Sequence, residues 1–377
     1  MKHEFNGNRL KKARLFNGYS KQELAQKINC SDKTIQLYES NKIKTPDDAV
    51  MEAISQCLNF PVKYFMEHDE PMENEGTTYF RALLTTPKKY RDEQEIKASI
   101  IAQLYNFISD YIEFPKFTPP ILSEDTTPEE AADKLRGLWN LGIRPIENIN
   151  HLVEEKGIVV TTFGMTSDKI DAFSKSINNM YLIAYTSNKT SAARIHFDVA
   201  HELGHICMHN ATDEDIEDKG EFKKIENEAH SFASAFLLPR ESFWGDVQKD
   251  PKNISYYSEL KKKWKVSITA MIRRSFSLNV ISYDEYQMLM RTLQRMGIRK
   301  DEPYDDVLIT SAPSLLRVAV QMLLDEKVFT AKEFLDELSF SHNLSLNPNT
   351  IENLLNLPND TLSVGKSSPI HYLKLLK

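Results

Sequence analysis

The sequence lacks the features of secreted, membrane-spanning and fibrous proteins. Its three cysteines, Cys30, Cys57 and Cys207, are odd in number and far apart, which argues against a disulfide framework. No stretch approaches the roughly 18 consecutive apolar residues of a membrane span, and residues 1–7 contain no apolar signal core. With 12 glycines and 16 prolines in 377 residues, collagen-like and linker-dominated chains are excluded. We therefore expect a cytoplasmic protein with no membrane partner.

The composition is that of a globular protein whose charge is distributed unevenly. The chain is 41% hydrophobic and 10% aromatic, enough apolar surface to build a core in each of several domains. Residues 1–45 contain ten Lys or Arg and four Asp or Glu, a net charge of +6. Because the whole chain has a formal net charge of −7, the remaining residues carry −13. A basic head on an acidic body indicates that the two parts have different partners.

Residues 8–66 have the pattern of a compact unit of short helices. Ser20 and Glu23 form a capping-box signature at the start of one helix, and Ser31 or Asp32 caps the next. Two short helices joined by a turn of about three or four residues are typical of the helix-turn-helix, whose second helix enters the major groove of DNA. We expect DNA contacts from exposed polar residues of this pair and its flanks: Lys21, Gln22, Ser31, Lys33, Thr34, Gln36 and Lys42.

This head, residues 1–68, resembles the Cro/C1-type (XRE) repressor domains. The resemblance covers about 60 residues and is carried by Arg9-Leu10, Ala13-Arg14, Tyr19 to Ala25, Thr34-Ile35, Tyr38-Glu39 and Pro46. It implies that double-stranded DNA is a partner, and it is compatible with pairing as a homodimer. A helical dimerisation or protein-binding module of the same fold is the alternative, against which the local positive charge argues.

The rest of the chain divides into three segments. Residues 69–125 are expected to form an acidic linker and a connecting helix. In residues 126–303, helical patterns surround three short strands, expected at 158–163, 170–176 and 180–186. Residues 304–377 form a further helical region in which the sequence contains no recognisable chemistry.

A metal-binding pattern, H-E-x-x-H, occupies His201 to His205. Because His201 and His205 are four residues apart, their imidazoles leave one face of a helix and can reach one ion. Glu202 lies beside them and can accept a proton from water at the metal. A helix with two packed or solvated histidines is the alternative, and the apolar flanks of the motif argue against it.

A catalytic zinc site needs a third protein ligand. Ala211 stands where a metzincin would have its third histidine, which excludes that class. The next candidates are Glu226 and Glu228, which lie about 200° apart on a helix, so that only one can face the metal. Glu226 lies on the same side as the apolar residue Ala229, so we predict Glu226 as the third ligand.

These residues resemble those of the ImmA/IrrE family of metallopeptidases. The likeness is carried by Arg194 and Phe197, His201 to His205, Glu226, Ala229, Phe232 and Ala233, Leu237 to Pro239, and Trp264, Val266 and Ser267. It implies a zincin-like core in which His201, His205 and Glu226 bind Zn²⁺ and Glu202 is the catalytic base. An Asn or Asp usually occupies the place of His230, which makes His230 a candidate for contacting a metal ligand. A fused repressor-type head is a known arrangement in this family.

We therefore expect a mostly α-helical, multidomain protein. It comprises an all-α helix-turn-helix head, an α+β zincin-like peptidase core with a small three-stranded sheet, and a helical C-terminal region. The resemblance implies a DNA-binding zinc metallopeptidase that cleaves a repressor or other regulator in a stress response or in mobile-element control. We expect the substrate to add an extended strand beside residues 171–176. A transcriptional regulator whose metallopeptidase-like domain is a non-catalytic sensor is the alternative, and a structural metal site is a third.

Overall fold

The computed structural model describes the chain in nine stretches. They are residues 4–42, 45–69, 78–80, 88–164, 171–177, 180–187, 191–209, 219–299 and 301–363. Within them the chain is mostly helical, as expected, and divides into two compact units. The first unit contains residues 1–71, 103–112 and 316–377, and the second contains residues 72–102 and 113–315. No helix in these stretches combines the length and the apolar character that a membrane crossing requires.

The helices and the strands are each numbered in chain order. The helices are α1 (Gly7–Phe16), α2 (Lys21–Lys27), α3 (Asp32–Glu39), α4 (Asp48–Leu58), a 3-10 helix (Val62–Met66), α5 (Lys88–Ser109), α6 (Pro128–Leu138), α7 (Ile149–Glu155), α8 (Ala192–Met208), α9 (Lys219–Leu237), α10 (Arg240–Val247), α11 (Ile254–Trp264), α12 (Ile268–Ser277), α13 (Tyr283–Arg295), α14 (Leu315–Asp325), α15 (Ala331–Ser341) and α16 (Pro348–Leu354). The strands are β1 (Thr78–Phe80), β2 (Ile158–Phe163), β3 (Ala172–Ile177) and β4 (Met180–Thr186).

Helix caps set the geometry of the helix pair α2 and α3 in the first unit. The predicted capping box is confirmed: Ser20 accepts from the backbone of Glu23, and the Glu23 carboxylate accepts from the Ser20 N–H. Ser31 is the N-cap of α3 and accepts from the N–H of Thr34 at 3.0 Å. Arg14 then fixes α3 against α1 through two hydrogen bonds to the buried carboxylate of Glu39. The pair therefore has a defined orientation before any DNA is present.

The C-terminal helices pack on the basic head within the first unit. Buried Glu67 accepts hydrogen bonds from the hydroxyls of Ser339 and Ser345 and from the Ser345 N–H. Arg9 donates to the carbonyl of Asn343 and lies 3.7 Å from Glu67. The sequence does not predict this arrangement, because Glu67 and Ser345 are 278 positions apart. The segment boundaries expected at 68, 125 and 303 stay predictions.

The second unit is built on a sheet with the strand order β1-β3-β4-β2. β2 and β4 are parallel, and β3 is antiparallel to both of its neighbours. The three predicted strands are confirmed, and a fourth, β1, joins them from the segment expected to be a linker and connecting helix. Its backbone pairs Tyr79 with Ser174. β1 pairs with residues 173–175, so the substrate strand expected beside residues 171–176 would have to displace β1 from that edge.

Helices α6, α7, α8 and α9 and the sheet share one apolar core in the second unit. Leu135 on α6, Val153 on α7, Val199 on α8 and Phe236 on α9 are all fully buried in it. Most of α8 is buried, including both histidines of the predicted metal motif. The core therefore packs α8 against the sheet.

One buried histidine of α8 should make this protein sensitive to acid. His196 is fully buried, and neither ring nitrogen has a hydrogen-bond partner among the described residues. Burial, and then the positive charge of Lys265, lower the pKa of His196 to about 3. In the unfolded chain its pKa is about 6.5, so that below this pH the unfolded state takes up a proton that the folded state excludes.

We predict that the free energy of unfolding falls by up to about 1.4 kcal/mol per pH unit between pH 6 and pH 4 because of His196. His196→Met should remove this part of the pH dependence. Urea unfolding of the zinc-free protein at several pH values measures it. His151→Gln, a change at an exposed histidine of α7, is the control and should leave the slope unaltered. An equal slope in wild type and His196→Met would contradict the prediction.

Candidate metal centre and DNA-binding surface

Two histidines of α8 converge at the predicted metal site. His201 and His205 are both buried, and their Nε2 atoms lie 3.1 Å apart. One turn of helix separates the two residues, so their rings leave the same face of α8, as the spacing predicts.

The third predicted ligand, Glu226, approaches from α9. Its carboxylate oxygens lie 3.2 Å from Nε2 of His205 and 3.6 Å from Nε2 of His201. Glu228 instead lies 3.2 Å from Nε2 of His209. The helical phase that separates Glu226 from Glu228 in the sequence thus separates them in space.

The spacing of the donor atoms of His201, His205 and Glu226 fits a metal ion with tetrahedral coordination. Ligands about 2.0–2.1 Å from a tetrahedral Zn²⁺ lie roughly 3.4 Å from one another. The two Nε2 atoms lie 3.1 Å apart, Oε1 of Glu226 lies 3.2 Å from His205, and Oε2 of Glu226 lies 3.6 Å from His201. Two imidazoles and a carboxylate are also the donor set of one class of catalytic zinc site. The residues present therefore fit a zinc ion that would keep one coordination position open.

Gly204 allows the two ligand-bearing helices to approach each other closely. A Cβ atom at this position would lie 3.0 Å from the Phe232 ring and 3.3 Å from Cα of Ala229. Both of these neighbours belong to α9, within two turns of Glu226. A larger residue between the two histidines would push α9 away and move Glu226 with it.

Burial and hydrogen bonding keep the donors in the protonation states that metal binding needs. Burial is the main cause that lowers the pKa of His201 to about 3, so that its lone pair is available at neutral pH. Burial alone would raise the pKa of Glu226, but hydrogen bonds to His201 and His205 outweigh it and hold that pKa far below its ordinary value. The carboxylate is therefore charged.

Glu202, the predicted base, is fully buried and lies next to the sheet. The hydroxyl of Ser174 on β3 donates to its Oε2 at 2.8 Å. Ser174 was not singled out by sequence reasoning. The sequence feature that could have identified Ser174 is its position in the strand expected to lie beside the substrate.

A chain of contacts leads away from the metal site behind His205. Nδ1 of His205 lies 3.1 Å from Nδ1 of His209, and Nε2 of His209 lies 3.2 Å from Glu228. A metal-binding imidazole typically uses its second nitrogen to contact a group that fixes its orientation. His209 and Glu228 are placed to orient His205 in this way, which sequence reasoning did not anticipate.

His230 lies beside the three predicted ligands. Its ring is perpendicular to that of His201, with 4.5 Å between their centroids. Ligand atoms of His201, Glu226 and His230 lie within 4.8 Å of one another. His230 is therefore close enough to His201 and Glu226 to be a further candidate for contacting a metal ion or one of its ligands.

The residues predicted to contact DNA lie in or beside α2 and α3. Lys21, Gln22, Ser31, Lys33, Gln36 and Lys42 are exposed, and Thr34 is half-buried. Ser31 and Thr34 share a hydrogen bond of 2.8 Å at the start of α3. The C-terminal region contacts the head through other residues, such as Arg9, Asn59 and Glu67.

Comparison with known proteins assigns both domains. Residues 153–276 match the family model described as an IrrE N-terminal-like domain, and residues 7–68 match one described as a helix-turn-helix domain. The chain therefore has a helix-turn-helix domain followed by an IrrE N-terminal-like domain. No curated protein sequence matches it.

The IrrE N-terminal-like domain runs from within α7 to α12 and contains the four residues of the metal site described above. The helix-turn-helix domain runs from α1 through the 3-10 helix. Their order along the chain is the expected one. Together they support a regulator that binds DNA and carries a peptidase-like domain, and the family implies a metal ion, typically zinc.

The two glutamates of α9 should differ in their effect on zinc binding. We predict about one zinc per purified chain, little zinc in Glu226→Gln, and zinc retained in Glu228→Gln with an affinity lowered about 10–100-fold, because Glu228 acts through His209. Metal analysis and titration with a competing chelator measure both effects. Greater loss of zinc in Glu228→Gln than in Glu226→Gln would reverse the assignment of the third ligand.

Proposed function

We propose that this protein is a zinc-dependent endopeptidase that also binds duplex DNA, and that it cleaves a protein regulator. The observation that carries the proposal is the convergence of His201, His205 and the Glu226 carboxylate, 3.1–3.6 Å apart at their closest atoms, with the buried Glu202 next to His201 along α8. A structural zinc site needs four protein ligands and no neighbouring base, so this set is better suited to catalysis.

In the proposed mechanism Glu202 moves one proton twice. When bound, the zinc ion supplies Lewis acidity towards the scissile carbonyl and towards water. The Glu202 carboxylate accepts a proton from the attacking water and then delivers it to the nitrogen of the leaving amine. Ser174 donates to Oε2 of Glu202 and holds the carboxylate in one orientation during both transfers. His209 and Glu228 have the corresponding role for the ring of His205.

The substrate class rests on family resemblance and on the shape of the sheet. Members of this family that carry a repressor-type head suggest a repressor or another regulator as the protein cleaved. A peptide that pairs with β3 would have to replace β1, whose backbone is paired with residues 173–175. This covered edge is the observation that favours the alternative function, a regulator whose metallopeptidase-like domain senses a signal without turnover.

Glu202→Gln separates the enzyme from the sensor. The variant keeps the shape of the side chain and its contact with Ser174 but cannot accept a proton. We predict that zinc and DNA binding are unchanged, and that cleavage falls by roughly 10²–10⁴-fold. Wild type and Glu202→Gln are compared in cells by quantitative proteomics, together with the transcription of target genes. If the variant regulates as wild type does and no protein changes in abundance, the sensor function replaces the proposed one.

The head is proposed to bind DNA as a pair, with half-sites about 10 bp apart or a multiple of that spacing. We predict that Lys33→Ala in the full chain weakens binding to all duplexes and lowers the slope of log affinity against log salt by about one. Gln36→Ala should instead relax sequence preference. Lys63→Ala, at an exposed lysine of the 3-10 helix, is the control. Salt-independent binding, or binding to no duplex, would make the head a protein-interaction module.

A further inference from the structure

A recess lies beside the metal site and is not used by the proposed mechanism. It has a volume of about 280 Å³, which is room for one or two amino-acid side chains. Its wall includes His230 and Ser234 of α9, Phe197 of α8 and Arg273 of α12. α8, α9 and α12 all belong to the second unit.

The recess adjoins the metal site through a single ring. His230 lines the recess, and its ring centroid is 4.5 Å from that of His201, a predicted zinc ligand. Phe197 lies one turn before His201 on α8. Its ring packs edge-on against the ring of His230, with 5.6 Å between the two centroids. His230 is therefore a wall that the recess and the metal site share.

The charge of the recess is positive. Arg274 is committed to Glu129 through two hydrogen bonds of 2.6 and 2.7 Å, and Arg240 lies 3.6 Å from the same carboxylate. Arg273 is exposed at the wall and makes no hydrogen bond or ion pair to any residue that the structure describes. The Glu129 carboxylate thus interacts with Arg274 and Arg240, and the guanidinium of Arg273 is left to bind a ligand.

The wall combines apolar and polar groups: Phe197, Pro128 and Ala270 lie beside Glu129, the two arginines and several hydroxyl groups. The hydroxyls of Ser231, Ser277 and Thr127 already donate to the carbonyls of Asn227 and Arg274 and to the Glu130 carboxylate, so that Ser234 and Arg273 are the donors left for a carboxylate among the described residues. A guanidinium forms paired, charge-assisted hydrogen bonds with a carboxylate, and such bonds are stronger than those between neutral groups. A lysine or arginine side chain in this place would meet the like charge of Arg273.

We propose that this recess is a specificity pocket that receives an acidic side chain, Asp or Glu, of the substrate residue next to the scissile bond, and that Arg273 is the residue that selects it. The proposal rests on the proposed peptidase function, since it assumes that a peptide is bound at the metal. It adds a substrate class, a protein cleaved beside an acidic residue, to that function.

Peptide hydroxamates test the pocket by binding, without any need for turnover. The hydroxamate group anchors each probe on zinc, and the adjacent residue is Glu, Gln or Lys. Two series, with this residue on either side of the anchor, cover both directions along the peptide. Dissociation constants are measured by calorimetry on the zinc-loaded full chain.

In one series we expect the Glu probe to bind about tenfold more tightly than the Gln probe, and the Lys probe to bind more weakly than either. Arg273→Glu should reverse the order of Glu and Lys, and Arg273→Gln should abolish the difference. Arg291→Glu makes the same charge change at an exposed position of α13 and should keep the wild-type order. Zinc content, measured on every variant, should be unchanged because Arg273 is not a ligand.

The outcomes distinguish failure of the pocket from failure of the enzyme. Hydroxamates that bind with equal affinity in both series, or an order that Arg273→Glu leaves unaltered, would overturn the pocket and leave the peptidase function standing. Zinc-loaded protein that binds no hydroxamate in either series would show a metal without an open position and would overturn both proposals.

Discussion

The close crossing of α8 and α9 is the constraint on which the rest of the site depends. Gly204 has no side chain, and a Cβ atom there would lie 3.0 Å from the Phe232 ring and 3.3 Å from the α9 backbone at Ala229. Only at this separation does the Glu226 carboxylate reach the imidazoles of both His201 and His205. The same crossing brings His230 beside His201 and His209 beside Glu228, so one backbone contact determines the geometry of several side chains.

The parts of the structure that sequence reasoning predicted are those governed by local periodicity. The four-residue spacing of His201 and His205 fixes their common face, and helical phase alone distinguishes Glu226 from Glu228. Capping chemistry likewise identified Ser20 as the start of α2, because the cap and its partner are three residues apart. Each of these inferences needs only a few neighbouring residues and the geometry of one helix.

The parts that escaped prediction depend on contacts between distant segments. Ser174 and Glu202 are 28 positions apart, and no periodic pattern links a strand residue to a helix residue. The contact of Glu67 with Ser345 spans most of the chain. β1 was missed for a different reason, because three residues just after an acidic stretch are too few for an alternating pattern to be recognised.

The strand β1 sets a requirement on any chain that would take its place. A strand of the same polypeptide competes at an effective concentration on the order of millimolar, far above the level of a typical cellular protein. It offers only a three-residue ladder, however, and each backbone hydrogen bond contributes only about 1 kcal/mol net. A competitor present at micromolar concentration therefore has to offset a handicap of roughly a thousandfold, about 4 kcal/mol. Pairing along all six residues of β3 would add only about three hydrogen bonds to the ladder that β1 makes, roughly 3 kcal/mol, so a competing strand would also need side-chain contacts to displace β1.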